Sequence, residues 1–338
     1  MSVVVAWLLL IPLGSALLSW WLLAALVPLL QRRLLDIPNA RSSHRRPTPR
    51  GGGLVLVVVA QLAPLVVALL PLSPPWRSAA GGPLPWLPLL CLPLALVGML
   101  DDRRGLPASW RYGVQLLTGA ALALAVPGGV PWVLLPLLAV VVTVLINSVN
   151  FMDGLDGLVA GCLAVLLATA VPVLIRAGVA APLSVAALGP LIGALLGFLP
   201  WNWGPARVFM GDVGSTFLGA MLAGVVLQLR EPREALGLLL VALPLLADAA
   251  ICVLRRWAAG QPVFEAHRLH LYQRLHQAGW SHRRVAGLYV AATVLLAVCD
   301  LAGGSGAALA GGLLVLAIGL VLERRWALPF STALAGRD

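Results

Sequence analysis

The chain has 338 residues, of which 60% are hydrophobic and only 11% charged, and its net charge is +10. That balance excludes a soluble multidomain protein, and it excludes a nucleic-acid-binding face, because the basic residues are divided among loops between apolar runs. The runs are roughly 17–25 residues long, the length that crosses a bilayer's hydrocarbon core, so the expected fold class is all-α: a polytopic bundle of about eleven transmembrane helices.

The first 30 residues carry no charge. They are too long for a signal-peptide core and have no basic stretch before them, so they read as a retained first helix. Further apolar segments follow near 53–72, 86–100, 112–126, 132–149, 157–175, 184–200, 213–229, 235–254, 285–300 and 305–322. No soluble domain separates from them, and residues 1–338 form a single integral-membrane domain. The proline- and glycine-rich stretch 71–88 is a connector. "GPLIGALLG" at 189–197 carries the spacing of small residues used in close helix packing, which also allows a homodimer. No internal repeat is visible, which weakens an inverted-repeat transporter. Cys91, Cys162, Cys252 and Cys299 are scattered through apolar context and are expected to be free, buried thiols.

All 23 basic residues are arginine. Only Arg77, Arg176, Arg230 and Arg233 fall in one set of alternate loops; the other set, at 31–50, 101–111, 201–212, 255–284 and after 322, holds the rest. The positive-inside rule then places the N-terminus outside and the arginine-rich loops in the cytoplasm of a bacterial plasma membrane. Tryptophans near segment ends (Trp76, Trp86, Trp110, Trp132, Trp201, Trp203, Trp257) suit an interfacial belt.

With that topology, Asp101, Asp102, Asp153, Asp156 and Asp212 all fall at cytoplasmic ends of helices. One such acid alone reads as a cap or solvated flank; five on one face of a chain that otherwise avoids charge point to a site. In "NSVNFMDGLDGL", Asn147, Asn150, Asp153 and Asp156 recur every third residue. Each step of three falls about 60° short of a full helical turn, so the four cannot share one face. Gly154 and Gly157 let the chain leave the helix, and the expected shape is a helix end, a tight loop and a new helix around a small polar volume. Amides and carboxylates at a bilayer surface suit magnesium, or manganese in its place, together with phosphate.

In "DDRR", the side chains of Asp101 and Asp102 point about 100° apart, so one reaches the site while the other holds a neighbour. In "NWGPARVFMGDVGS", Asp212 lies near the start of the next helix, where free N–H groups could meet an anion; a plain helix cap is the structural alternative. The basic half comes from "NARSSHRRPTPRGGG" at 39–53, with Arg45, Arg46 and Arg50, and from "EAHRLHLYQRLHQAGWSH" at 265–282. His267 and His270 could share a helix face and contact phosphate or sugar. Zinc is the competitor there, disfavoured because no cysteine accompanies them and Arg268 intervenes. His276 and His282 read as ordinary loop residues. Asp248, inside the ninth segment, reads as a partner for Arg255 or Arg256.

These motifs, in this order, resemble the MraY/WecA family of polyprenyl-phosphate N-acetylhexosamine-1-phosphate transferases (glycosyltransferase family 4), from Asp36 to about His276. "PNARSSHRRPTPRGGG" and "AHRLHLYQRL" are most similar to the bacterial branch that starts O-antigen and related glycan chains. The resemblance implies magnesium-dependent transfer of an N-acetylaminosugar 1-phosphate from a UDP-sugar to undecaprenyl phosphate, with release of UMP. It implies Asp212 as a metal ligand with Asp156 beside it, and Asp101 or Asp102 as the base. It also implies Asn147, Asn150, Asp153 and Asn202 as substrate-site residues, and His267, Arg268 and His270 as donor contacts. Family members often carry a lysine near the first cytoplasmic loop; this chain has none, so Arg45, Arg46 or Arg50 must replace it.

Two rivals are weighed against this reading. A CDP-alcohol phosphotransferase requires an arginine soon after the first "DG", and here "DGLDGLVAGCLAV" runs on without one. A polytopic transporter with functional intramembrane carboxylates needs them near the midplane, and only Asp248 is placed so deep.

Overall fold

The computed structural model describes residues 2–38, 43–44, 46–69, 82–262 and 267–335; Arg45, Trp76, Arg77 and Glu265 lie outside them. The chain is a bundle of helices with one short ribbon. Helix α1 (Ser2–Arg33) leads into β1 (Leu35–Asp36), which pairs antiparallel with β2 (Thr48–Pro49). There follow α2 (Gly53–Ala60), α3 (Ala63–Leu69), α4 (Leu87–Leu90), α5 (Leu92–Arg104), α6 (Ala108–Leu124) and α7 (Leu135–Phe151). The second half comprises α8 (Leu158–Arg176), α9 (Ala181–Asn202), α10 (Asp212–Leu227), α11 (Pro232–Val241) and α12 (Leu243–Ala258). It ends with α13 (Leu271–Gln277), α14 (His282–Arg325) and α15 (Phe330–Ala335).

Large apolar side chains stand exposed along α1, α7 and α14, while α8, α9 and α10 are buried along most of their length. A surface this apolar is stable only against lipid, where helices satisfy their own backbone groups. The all-α polytopic membrane class therefore holds. Among the described residues, six helices are long and apolar enough to cross a membrane, or seven if one bent pair is a single span; Gly53–Leu69 and Asp212–Leu227 are shorter. The count falls below the eleven sequence segments because three of them form helices of 17 residues or fewer, Gly53–Leu69, Ala108–Leu124 and Asp212–Leu227, the ninth is a bent pair, and the last two run on as one helix. The ninth segment is two helices, α11 and α12, bent by 76°, with Pro244 in the first turn after the break, where no N–H is available to continue the ladder. The last two segments are joined as α14, which leaves helical geometry at Gly303 and Gly304.

Helix α10 is the hub, packed on α5, α7 and α2. Close approach there needs glycine: a Cβ on Gly98 of α5 would stand 2.6 Å from the Asp212 carbonyl carbon. The small residues of "GPLIGALLG" pack α9 onto α1, with Gly189 against Ile11, Gly193 against Pro12 and Gly197 against Ala16. That contact lies within one chain and accounts for the motif without a second copy. Trp86, Trp110, Trp132 and Trp257 are exposed as a belt requires, whereas Trp203 packs over Gly157 and Trp201 contacts Trp20.

Candidate functional site

At one end of the bundle, six pieces of chain converge: the ribbon, the C-termini of α5, α7 and α9, the start of α10, and the segment leading into α13. Gly157, with φ of 76°, ends the tight loop after α7 and starts α8, so Asn150, Asp153 and Asp156 wrap around a polar volume rather than line a helix. Two cavities meet there. The first, about 350 Å³, is lined by Asp101, Arg111, Gln115, Asn147, His267 and His270 among others. The second, about 290 Å³, is lined by Asp36, His44, Arg50, Asp102, Asp156 and His282 among others. Both contain Asn150, Asp153, Gly154, Asp212 and Gln273, which form the waist between them.

Asn150 Nδ2 donates to Asp212 Oδ1 at 2.9 Å and to Ser215 Oγ at 2.8 Å, which aims the Asp212 carboxylate. The N–H groups of Asp212 and Val213 donate to the two oxygens of Asp102 at 3.1 and 3.2 Å. The expected anion at this helix start is therefore a carboxylate of the chain itself. Asp101 turns the other way, accepting from Arg111 Nη1 at 3.1 Å and from the Leu106 N–H. Arg111 Nη1 also lies 4.0 Å from Asp212 Oδ2. Arg50 pairs with Asp36 at 2.7 Å and reaches within 4.0 Å of Asp102.

Burial, and after it the charges of Asp212, Asp102 and Asp156, hold the Asp153 carboxyl well above the usual carboxylate range. Such a group favours a cation beside it. A pair of carboxylates with an amide suits magnesium, which takes one or two protein carboxylates and keeps its other positions for water and phosphate oxygens. Among the described residues, the three-residue group whose ligand atoms lie within 4.8 Å of one another is a different one, Cys252 with His267 and His270. So a cysteine does accompany the histidines, in space though not in sequence.

Three further expected site residues, Asn147, Asp156 and Asn202, line the cavities with polar groups that the protein itself engages. Asn202 is buried with both amide groups engaged: Oδ1 accepts from the Gly157 N–H at 2.9 Å and Nδ2 donates to the Val208 carbonyl at 3.0 Å. It latches two loops together. Asp156 Oδ2 lies 3.0 Å from His282 Nδ1 and accepts from the Ala206 N–H at 3.0 Å, so this carboxylate is tied to its neighbours, and His282 belongs to the site wall. Asn147 donates to Gln115 Oε1 at 2.6 Å and to the Thr143 carbonyl at 2.8 Å. Arg268 lines neither cavity; the arginines that do are Arg111 and Arg50. Asp248 is no partner of Arg255, which pairs with Glu323. It accepts from the N–H groups of Leu271 and Tyr272 at 2.8 and 3.1 Å and from Tyr289 Oη at 2.6 Å, holding the start of α13. Tyr272 Oη then donates to the Phe151 carbonyl at 2.9 Å, fixing α13 to the end of α7.

Arg111, Gln115 and His282 were missed in the sequence because each sits in an unremarkable context. Arg111 reads as a topology charge, Gln115 as an isolated amide in an apolar helix, and His282 as an ordinary loop residue.

Comparison with known proteins gives the same grouping. Residues 85–230 match the family model described as glycosyl transferase family 4. The chain is 33% identical over 317 residues to a decaprenyl-phosphate N-acetylglucosaminephosphotransferase of Mycobacterium leprae, covering 82% of this chain and 78% of the relative. It is 28% identical over 270 residues to a probable undecaprenyl-phosphate N-acetylglucosaminyl 1-phosphate transferase of Bacillus subtilis, with 74% and 71% covered. It is 31% identical over 326 residues to the phospho-N-acetylmuramoyl-pentapeptide-transferase of Desulforudis audaxviator, with 82% and 92% covered.

Proposed function

The chain belongs to glycosyl transferase family 4, the MraY/WecA family of membrane phosphotransferases, and on that premise we propose that it transfers an N-acetylaminosugar 1-phosphate from a UDP-sugar to undecaprenyl phosphate, releasing UMP. The reaction starts a cell-surface glycan, O-antigen or a related polysaccharide, and runs at the cytoplasmic face. The arginine asymmetry of the loops supports that orientation.

The observation that carries the reading is the waist. Two phosphate-bearing substrates must meet, and two polar cavities share the Asn150–Asp153–Asp212 group. The second cavity, with Phe209 and Arg50, takes the uridine diphosphate; the first, with the apolar Leu94 and Val97 in its wall, takes the acceptor phosphate. Asp212 and Asp153 would hold the magnesium, which when bound spreads the charge of two approaching phosphates.

The chain's own residues do the rest. Asp102 fixes the start of α10 and thereby the place of Asp212, and Asn150 sets the rotation of the Asp212 carboxylate. Arg111, drawn between Asp101 and Asp212, is placed to share the acceptor's negative charge. Asp101 faces the acceptor side and is the better placed base. His267 and His270 border the same cavity and meet the sugar. Of the first-loop arginines Arg45, Arg46 and Arg50, it is Arg50, which lines the second cavity, that takes over the role of the missing lysine.

Purified protein with undecaprenyl phosphate, magnesium and a panel of isotope-labelled UDP-sugars tests this directly. Label should move into lipid with stoichiometric UMP for at least one sugar. No transfer from any UDP-sugar, by protein shown to be folded, overturns it.

A further inference from the structure

We propose that Cys252, His267 and His270 form a second metal site, for a thiophilic divalent cation of the zinc class, separate from the carboxylates of the waist. Their ligand atoms lie within 4.8 Å of one another, a small closure away from the ligand separations of a tetrahedral zinc centre. The site joins three things that are distant in sequence or direction: a thiol from α12, a half-buried imidazole, and a buried imidazole at the start of α13. The imidazole rings of His267 and His270 stack with centroids 4.9 Å apart.

The surroundings fit a cation. Asp248 Oδ1 lies 3.5 Å from His270 Nδ1, the kind of outer carboxylate that orients a metal-bound imidazole. Asp248 is itself locked by two backbone N–H groups and Tyr289, so the partner is rigid. The metal–sulfur bond forms as the Cys252 proton leaves to solvent, and His270 releases the proton it shares with Asp248 so that both imidazoles bind through neutral nitrogens. The thiolate and the Asp248 carboxylate then balance the charge of the dication. A hard ion such as magnesium prefers oxygen ligands, so the donor set separates the two sites by chemistry. Three protein ligands leave the fourth position of a tetrahedral ion to water.

The consequence for the enzyme is inhibition. The same two imidazoles border the first cavity, and an ion would pin them to α12. Binding is independent of the proposed reaction; the inhibitory effect rests on it.

The test uses full-length protein in detergent, titrated with cobalt(II) in excess magnesium, with thiolate-to-cobalt absorption in the near ultraviolet as readout. The band should saturate at one ion per chain, be displaced by zinc, persist in Asp212→Asn and vanish in Cys252→Ser. His267→Gln keeps the thiol and should weaken cobalt binding about tenfold or more, since even outer partners of metal-bound imidazoles are worth about 10–100-fold. Absence of the band in wild-type protein, or a band undiminished in Cys252→Ser, overturns the site, as does unchanged affinity in His267→Gln. In the transfer assay, Cys252→Ser should keep basal turnover and lose sensitivity to zinc. Equal zinc inhibition of Cys252→Ser and wild type overturns the inhibitory role while the cobalt band still decides the site.

Discussion

Asp102 caps the helix that Asp212 begins, each of its oxygens accepting one backbone N–H, from Asp212 at 3.1 Å and Val213 at 3.2 Å. The two carboxylates therefore do different work: Asp212 stands at the waist, whereas Asp102 lines the second cavity only. Asp102→Asn replaces one accepting oxygen by a donor and turns it against a backbone N–H. The expected cost is about 0.5–2 kcal/mol, as for loss of a helix cap, read as a lower thermal midpoint in detergent together with reduced turnover. A variant of unchanged midpoint and much reduced turnover would instead make Asp102 the base.

Asp212→Asn should behave in the opposite way. The backbone N–H that Asp102 holds is untouched, so the thermal midpoint should stay near wild type. An amide is a poor ligand for a hard cation, and turnover should nearly vanish at low magnesium. The check is a magnesium titration of the transfer rate for both proteins. Asp153→Asn is expected to follow Asp212→Asn, whereas Asp156→Asn, in which the contacts to His282 and Ala206 are altered, should lose stability as well.

The helices and the polar end of the bundle were legible in the sequence, because hydropathy runs and clustered acids are local patterns. "NSVNFMDGLDGL" announced its loop through glycines and a spacing of three, and the structure puts Gly157 at positive φ where that loop ends. What stayed hidden depends on partners remote in sequence. Nothing near Asn202 shows that the Gly157 N–H and the Val208 carbonyl will occupy its amide. Nothing near Cys252 shows that two histidines from the next segment will close on it. The break between α11 and α12 was hidden for another reason: both halves are equally apolar, so a hydropathy window reads through a bend of 76°.

Asn202→Leu tests the latch. Removing the side chain's acceptor and donor leaves two buried backbone groups without partners, at about 1–3 kcal/mol each. The loss should appear in thermal stability and in proteolysis of the loop 203–211. KM for the UDP-sugar should rise no more than KM for the lipid. A rise confined to the donor would show that Asn202, which also lines the second cavity, contacts the substrate.

Arg111 and Arg268 separate a cavity charge from a topology charge. Arg111→Lys keeps the charge and the loop's orientation but loses the planar guanidinium whose Nη1 stands between Asp101 and Asp212. Loss of one charge-assisted hydrogen bond costs about 1.5–3 kcal/mol, roughly ten- to a hundredfold in catalytic efficiency. That loss should be largest with polyprenyl phosphate as the varied substrate. Arg268→Lys should leave both efficiencies within about twofold, because Arg268 lines neither cavity. The reverse order would place the phosphate clamp in the loop before α13.

The last expectation concerns pH. Burial lowers the pKa of His270, but the hydrogen bonds and charges of Asp248 and Cys252 outweigh it and carry the imidazole up to about 9, from an ordinary value of 6.5. The group binds its proton more tightly when folded. Its contribution to stability is therefore fully present below about pH 6.5 and is lost as pH rises through about 9. In metal-free protein, the thermal midpoint should fall between about pH 7 and pH 10, by an amount corresponding to a few kcal/mol at most. His270→Gln, which keeps a polar group beside Asp248 without the titration, should have a lower midpoint near neutrality and a flatter profile across the same range. Equal slopes in the two proteins would show that the pair of His270 and Asp248 does not hold the start of α13 through its charge, and that the backbone contacts of Asp248 alone are enough.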